Sequence, residues 1–265
     1  MINLFQKDFW WGASSSAFQI EGGWNEDGKG KTVADFNSFK RSHLQADSKV
    51  ASDFYHHWNE DIDLMKELGM KTYRFSISWS RIFPNGDEEK ANEDGLKFYE
   101  MIIDELLKYN IEPMITICHD EVPFHLCELY DGWAGRETIG CYVNYATTLF
   151  NRFKDKVRYW ITFNEINNLG GYAQMGTHRQ DSQTRYQAVH HMFVASAKAV
   201  IAGHEINPNF KIGCMLIYPT TYAATCNPED QIMMRNKMLN TFYYGDVHVR
   251  GRYTNTCTSL LHKHG

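Results

Sequence analysis

Five short apolar runs alternate along this chain with longer amphipathic segments, and that alternation restricts the fold more than any other feature. The runs are Phe9-Trp-Trp-Gly-Ala13, Tyr73-Arg-Phe-Ser-Ile-Ser78, Pro113-Met-Ile-Thr-Ile-Cys118, Tyr159-Trp-Ile-Thr-Phe163 and Lys211-Ile-Gly-Cys-Met-Leu-Ile217. Each has the length and residue types of a buried strand. Between them lie helical stripes. Ser52 is placed to cap a helix carrying Phe54, Trp58, Ile62, Met65 and Leu68, with Gly69 as its stop. The next stripe is Tyr99, Ile102, Ile103, Leu106 and Leu107. A third is Ile139, Tyr142, Val143, Ala146, Phe150 and Phe153. A fourth is Val189, Met192, Phe193, Ala197, Val200 and Ile201. Asn227-Pro-Glu-Asp230 reads as a fifth helix start: a cap, a proline in the first turn, then acids facing the dipole. Strands alternating with helices imply an α/β fold with a parallel sheet, closed or doubly wound. The polar stretch 174–186 reads as a loop overhanging the end of the fourth strand. Residues 252–265 read as a disordered or junction segment.

Bulk composition removes several function classes. Of 265 residues, 43% are hydrophobic and 22% charged, which is globular. The net charge is -5, with no basic run of the kind that binds nucleic acid. No apolar stretch is long enough for a bilayer, and MINLFQKDFWWG lacks the layout of a signal peptide, so a cytoplasmic location is expected. The six cysteines are scattered, without metal spacing, and read as reduced thiols. No glycine-rich phosphate loop follows any strand, which argues against a nucleotide-binding sheet.

Chemistry gathers at the strand ends. Gln19 and Glu21 follow the first strand, Arg74 lies in the second with Trp79 at its end, His119-Asp-Glu121 end the third, and Asn164-Glu165 end the fourth. Catalytic groups of parallel barrels collect at that end. Glu165 reads either as an acid or base held by its amide neighbour, or as a cap for the next helix. Each residue alone is also what a loop provides. Together with Trp10, Trp11, Trp24, Trp79 and Trp133, the set suits a polyhydroxylated ligand, which needs dense hydrogen bonds and an aromatic platform. The aromatics are equally what a large core uses.

Longer strings carry a specific resemblance. Phe9-Trp-Trp-Gly-Ala-Ser-Ser15 with Gln19-Ile-Glu-Gly22, Tyr73-Arg-Phe-Ser-Ile-Ser-Trp-Ser-Arg-Ile-Phe-Pro84, His119 with Pro123, Trp160-Ile-Thr-Phe-Asn-Glu-Ile-Asn-Asn168 and Asp246-Val-His-Val-Arg-Gly251 resemble family 1 glycoside hydrolases. The Asn-Glu-Ile-Asn-Asn string and Cys226-Asn-Pro-Glu-Asp230 are similar to the 6-phospho-β-glucosidase branch. The resemblance implies a (β/α)8 TIM-barrel type, of which this chain holds about the first five βα units as one partial domain over 1–265. It implies that Glu165 is the general acid/base and that Asn164 holds the sugar's 2-hydroxyl. Gln19 and His119 would bind further hydroxyls, Trp133 would belong to the substrate site, and Arg74 would pair with a nucleophilic carboxylate. It implies a β-glucoside or 6-phospho-β-glucoside substrate, configuration retained, and no metal or cofactor.

The pattern also departs from the family. The nucleophile segment, Ile/Val-Thr-Glu-Asn-Gly, and the late Ser/Lys/Tyr phosphate segment do not occur in these residues. Asp120 stands where the family usually has an aromatic, and Asp131 where it usually has a glycine. The expectation is a chain that carries the acid/base but not the nucleophile and is impaired alone. Inner residues such as Phe75, Ile77, Ile115, Ile117 and Ile161 are expected to lose partners, favouring self-association or complementation by a missing half-barrel. The alternatives are a non-catalytic sugar-binding or interaction fragment and a glucosidase for unphosphorylated substrates.

Overall fold

The computed structural model describes residues 5–44, 46–169 and 172–264. In chain order its elements are β1 (Gly12–Ser14), α1 (Ala17–Ile20), α2 (Val33–Lys40), α3 (Phe54–Glu67), β2 (Thr72–Ser76), α4 (Trp79–Ile82), α5 (Glu93–Lys108), β3 (Glu112–Cys118), α6 (Phe124–Tyr130), a 3-10 turn (Gly132–Ala134), α7 (Glu137–Phe153), β4 (Tyr159–Phe163), α8 (Tyr172–Met175), α9 (Ser182–Ile206), β5 (Lys211–Gly213), α10 (Pro228–Arg250) and α11 (Asn255–His264). The strands form one parallel sheet in the order β1-β2-β3-β4-β5. Every connection thus returns the chain to the same end of the sheet, and all strand C-termini share one edge.

Local sequence explains most of these elements. The α5 stripe is buried at Leu96, Tyr99, Ile102, Ile103 and Leu106, and Asn92 caps it by accepting from the Asp94 amide. α10 begins as the cap–proline–acid run predicts, with the Asn227 side chain accepting from the Glu229 amide. β4 has the predicted bounds, Tyr159–Phe163.

Which sheet face is covered differs from expectation. Phe75, Ile77, Ile115 and Ile117 are buried beneath the helices rather than in the barrel interior. The interior face carries Arg74, Met114, Thr116 and Ile161, which share parity in the register Arg74↔Met114, Thr116↔Ile161. Strands covered on both faces are apolar throughout, so the sequence has no alternation from which to read parity.

Other differences have local causes. Phe9, Trp10 and Trp11 lie before β1, exposed, with Phe5, Phe9 and Trp11 packed on one another and Trp10 edge-on to Tyr159. Ser52 does not cap α3: Asp53 is the N-cap residue, in a left-handed conformation, and its side chain makes no capping bond. α9 buries Ala188, Val189, Met192, Phe193, Ala195 and Ala199, leaving Ala197 and Ile201 exposed. Small residues let it approach closely: a Cβ on Gly203 would meet Ile212 Cδ1 at 2.5 Å. The stretch 174–186 is not one loop, because it holds the end of α8 and the start of α9, capped by Asp181. Residues 255–264 are helical, and Cys257 there is fully buried. β5 is shorter than expected, though its pairing continues past Gly213 through the Met215 amide to the Phe163 carbonyl at 3.2 Å.

Candidate active site

Glu165 sits two residues beyond the last paired position of β4, and Asp120 two beyond that of β3, where Cys118 pairs with Phe163. Both residues are left-handed, with φ of 44° and 60°. Non-glycine residues pay strain there and collect at functional sites. The two backbones therefore turn at the same level on adjacent strands, which brings their carboxyl groups into electrostatic range.

Arg74 reaches across from β2. Its Nε donates to Thr116 Oγ1 at 2.9 Å and its Nη2 to Asn164 Oδ1 at 2.6 Å. Burial lowers the guanidinium's pKa, and the nearby Glu165 carboxylate opposes that shift. Asn164 is buried and its backbone amide donates to the Cys118 carbonyl at 3.0 Å, so its side chain is fixed at both ends. With Oδ1 occupied by Arg74, its Nδ2 has no protein acceptor among the described residues. His119 is pushed down to about 4 by burial and by Arg74, so it is neutral near pH 7, and its Nδ1 is buried without a partner. Asp120 is pushed up to about 7, first by burial and then by the charge of Glu165.

Asp120 also lines a cleft of about 420 Å³ with Phe18, Gln19, Asn37, Arg41 and Gln174. Gln19 is exposed at the end of α1 and looks into this space. Glu165, Arg74, Asn164 and His119 are therefore grouped at the strand ends, and the cleft lined by Gln19 adjoins them through Asp120. Among the described residues, no cluster of His, Cys, Asp or Glu is arranged to hold a metal ion.

Other strand-end residues belong to the core. Trp133 is fully buried, packed against Trp79, Tyr142 and Phe163 at 6.2, 5.6 and 5.4 Å between ring centroids. Trp133, expected in the substrate site, is thus enclosed by these rings in the described structure. Gly132 before it is left-handed, and a Cβ there would meet the Met175 carbonyl at 2.3 Å. Asp131 is left-handed too and accepts from the His178 amide at 2.6 Å. Trp79 is buried and stacks on Tyr145. Glu21 is buried against Arg81 at 3.3 Å and accepts from Tyr99 Oη at 2.7 Å. Glu121 accepts from Ser78 Oγ at 2.8 Å, and burial pushes it up to about 8.

The structure adds three residues to which sequence reading gave no role. Thr116 holds Arg74. Asn168 donates from Nδ2 to Glu165 Oε2 at 3.0 Å. Asn167 bonds both backbone groups of Ile217 through its side-chain amide, at 2.7 and 3.1 Å. Thr116 was discoverable only from strand parity, and Asn167 only from a contact fifty residues distant.

The Glycosyl hydrolase family 1 model matches residues 1–265. A protein named 6-phospho-beta-glucosidase from Clostridium longisporum is 47% identical over 262 residues, covering 94% of this chain and 55% of its own length. The aryl-phospho-beta-D-glucosidase BglH of Bacillus subtilis is 45% identical, covering 94% of this chain and 56% of its own. A Thermotoga maritima beta-glucosidase solved in complex with glucoimidazole superposes with a TM-score of 0.88 at 32% identity, over 98% of this chain and 60% of that one. The present chain thus spans between half and two thirds of these relatives. A family match over every residue, joined to an Asn-Glu pair at the end of β4, gives one conclusion: the chain belongs to glycosyl hydrolase family 1.

Proposed function

We propose that this chain supplies the acid/base half of a site that cleaves the β-glucosidic bond of 6-phospho-β-glucosides with retention of configuration. The observation that carries the reading is the Asn164-Glu165 pair at the end of β4, tied through Arg74 to β2 and β3. Retaining cleavage uses two carboxyl groups about 5–5.5 Å apart, one as nucleophile and one as acid, then base. Glu165 protonates the departing glycosidic oxygen. Asn164 Nδ2 donates to the 2-hydroxyl, its orientation set by Arg74. Gln19 and neutral His119 bind the remaining hydroxyls. The second carboxylate is not supplied by a Thr-Glu-Asn-Gly segment in these residues, so the chain alone is expected to turn over little. Support for phosphorylated substrates comes from the relatives' names. Residues 1–265 then act as one partial-barrel domain, cytoplasmic, without a cofactor, that self-associates or is complemented by a half-barrel bearing the nucleophile. Asp120 favours a second reading, an unphosphorylated glucoside, because its carboxyl group adds negative charge beside the sugar. Rates with and without the 6-phosphate separate the two.

Azide tests the acid/base role directly. It attacks C1 from the face opposite the aryloxide, the C1–O bond breaks, and Glu165 gives its proton to the leaving oxygen. The products are the inverted glycosyl azide and the phenol. Phenyl 6-phospho-β-glucoside should be inert to the purified chain alone and cleaved when azide is added. Glu165→Gln should lower that rate about 10²- to 10⁴-fold, the usual worth of a positioned proton donor. Equal rates in the variant, or azide-independent cleavage, would overturn the assignment.

A further inference from the structure

The turn that presents Glu165 is held by two side-chain amides, and neither belongs to the acid–base pair itself. The ladder between β4 and the chain after β5 runs from the Met215 amide to the Phe163 carbonyl at 3.2 Å, then from the Glu165 amide to the Met215 carbonyl at 2.8 Å. There the Glu165 backbone swings into its left-handed conformation and backbone pairing stops. Asn167 takes over. Its Nδ2 donates to the Ile217 carbonyl at 2.7 Å and its Oδ1 accepts from the Ile217 amide at 3.1 Å, replacing a peptide group as the partner. Asn168 then turns back. Its amide donates to the Glu165 carbonyl at 2.8 Å and its Nδ2 to Glu165 Oε2 at 3.0 Å.

We infer that Asn167 and Asn168 are positioning residues for the acid/base carboxyl group. Asn167 fixes the turn against the 215–217 segment, and Asn168 biases which carboxyl oxygen carries the proton. The chemistry is directional. An amide NH2 only donates, and a carbonyl oxygen accepts more strongly than a carboxylic hydroxyl, so the contact biases the acid form's proton toward Oε1. No protein group among the described residues engages Oε1. A left-handed glutamate with an unanchored turn would otherwise relax, and small displacements of a catalytic group are costly. The inference rests on the acid/base reading of Glu165, and goes beyond it by assigning the geometry of that group to two neighbours.

The test uses the purified 265-residue chain labelled with 15N. The Asn168 side-chain amide resonances should shift in Glu165→Gln relative to the parent chain, because that amide donates to Glu165 Oε2. In Asn167→Ala the Glu165 backbone amide should exchange with solvent at least tenfold faster, while the Trp160 and Ile161 amides in β4 keep their protection. Asn168→Ala should lower the azide-dependent kcat about ten- to a hundredfold with KM unchanged, as expected for misplacement without lost binding. An Asn168 amide insensitive to Glu165→Gln, or unaltered Glu165 exchange in Asn167→Ala, overturns the inference. Loss of azide-dependent cleavage with the Asn168–Glu165 coupling intact overturns the acid/base reading instead.

Discussion

Asp120 shows how one residue alters the site's electrostatics. It puts a carboxyl group beside Glu165, at the same level on the next strand. Folding moves its pKa from an ordinary 3.8 to about 7. Between those values the native chain binds a proton that the unfolded chain has lost, so this group's contribution to stability falls as pH rises from about 4 to about 7 and is level above. His119 acts in reverse. Its pKa drops from 6.5 to about 4, so its contribution rises over that interval. Asp120→Asn should remove the falling component, leaving a protein whose urea midpoint climbs more between pH 5 and pH 7 than the parent's. An identical pH dependence would show that Asp120 is not buried as described. The identity of Asp120 was plain in the sequence. Its pairing with Glu165 was not, because that depends on strand register and on two left-handed turns that no local propensity demands.

At the scale of elements, the sequence identified the strands but not their inner faces. β3 and β4 are apolar on both sides, so their periodicity does not distinguish the helix-covered face from the interior. The structure does: Ile115 is fully buried between β3 and the helices, while its near neighbour Ile161 is half-buried on the interior face. Ile115→Ala should therefore cost about 2–5 kcal/mol, and Ile161→Ala clearly less, on the large-to-small scale for cores. Urea denaturation of the two variants checks this, and equal losses would refute the assigned parity. The same parity places Arg74 and Thr116 side by side, which is why a strand arginine becomes part of the site. For helices, sequence succeeded where one stripe was unambiguous, as in α5, and only in part in α9, where Val189, Met192 and Phe193 are buried as expected but Ala197 and Ile201 are exposed. There two faces are apolar, and close packing selected the one with alanines and glycine.

Across the whole molecule, segments distant in sequence are joined behind the sheet's C-terminal edge by a buried ionic knot. Arg81 of α4 pairs with Glu21 after α1, contacts the Gly22 and Gly23 carbonyls, and lies over the rings of Tyr55 and Phe98 at 4.6 and 5.2 Å. Glu21 also accepts from Tyr99 of α5. Removing one partner of such a pair strands the other charge, so Arg81→Met should cost about 3–5 kcal/mol. Arg81→Met with Glu21→Leu should lose less than the sum of the single changes in a double-mutant cycle, and additivity would argue that the pair is not coupled. The alternation of apolar runs and helical stripes determined by itself that the chain forms a parallel α/β sheet with its chemistry at one edge, since strand and helix periods are local properties. The placement of Glu165 at the end of a strand followed from the same pattern. Only tertiary structure decided that Trp133 is core and Gln19 faces the cleft. The same holds for the pairing of Asp120 with Glu165 and the anchoring of the Glu165 turn by Asn167, since burial, register and contacts fifty residues apart arise only when the strands are brought together.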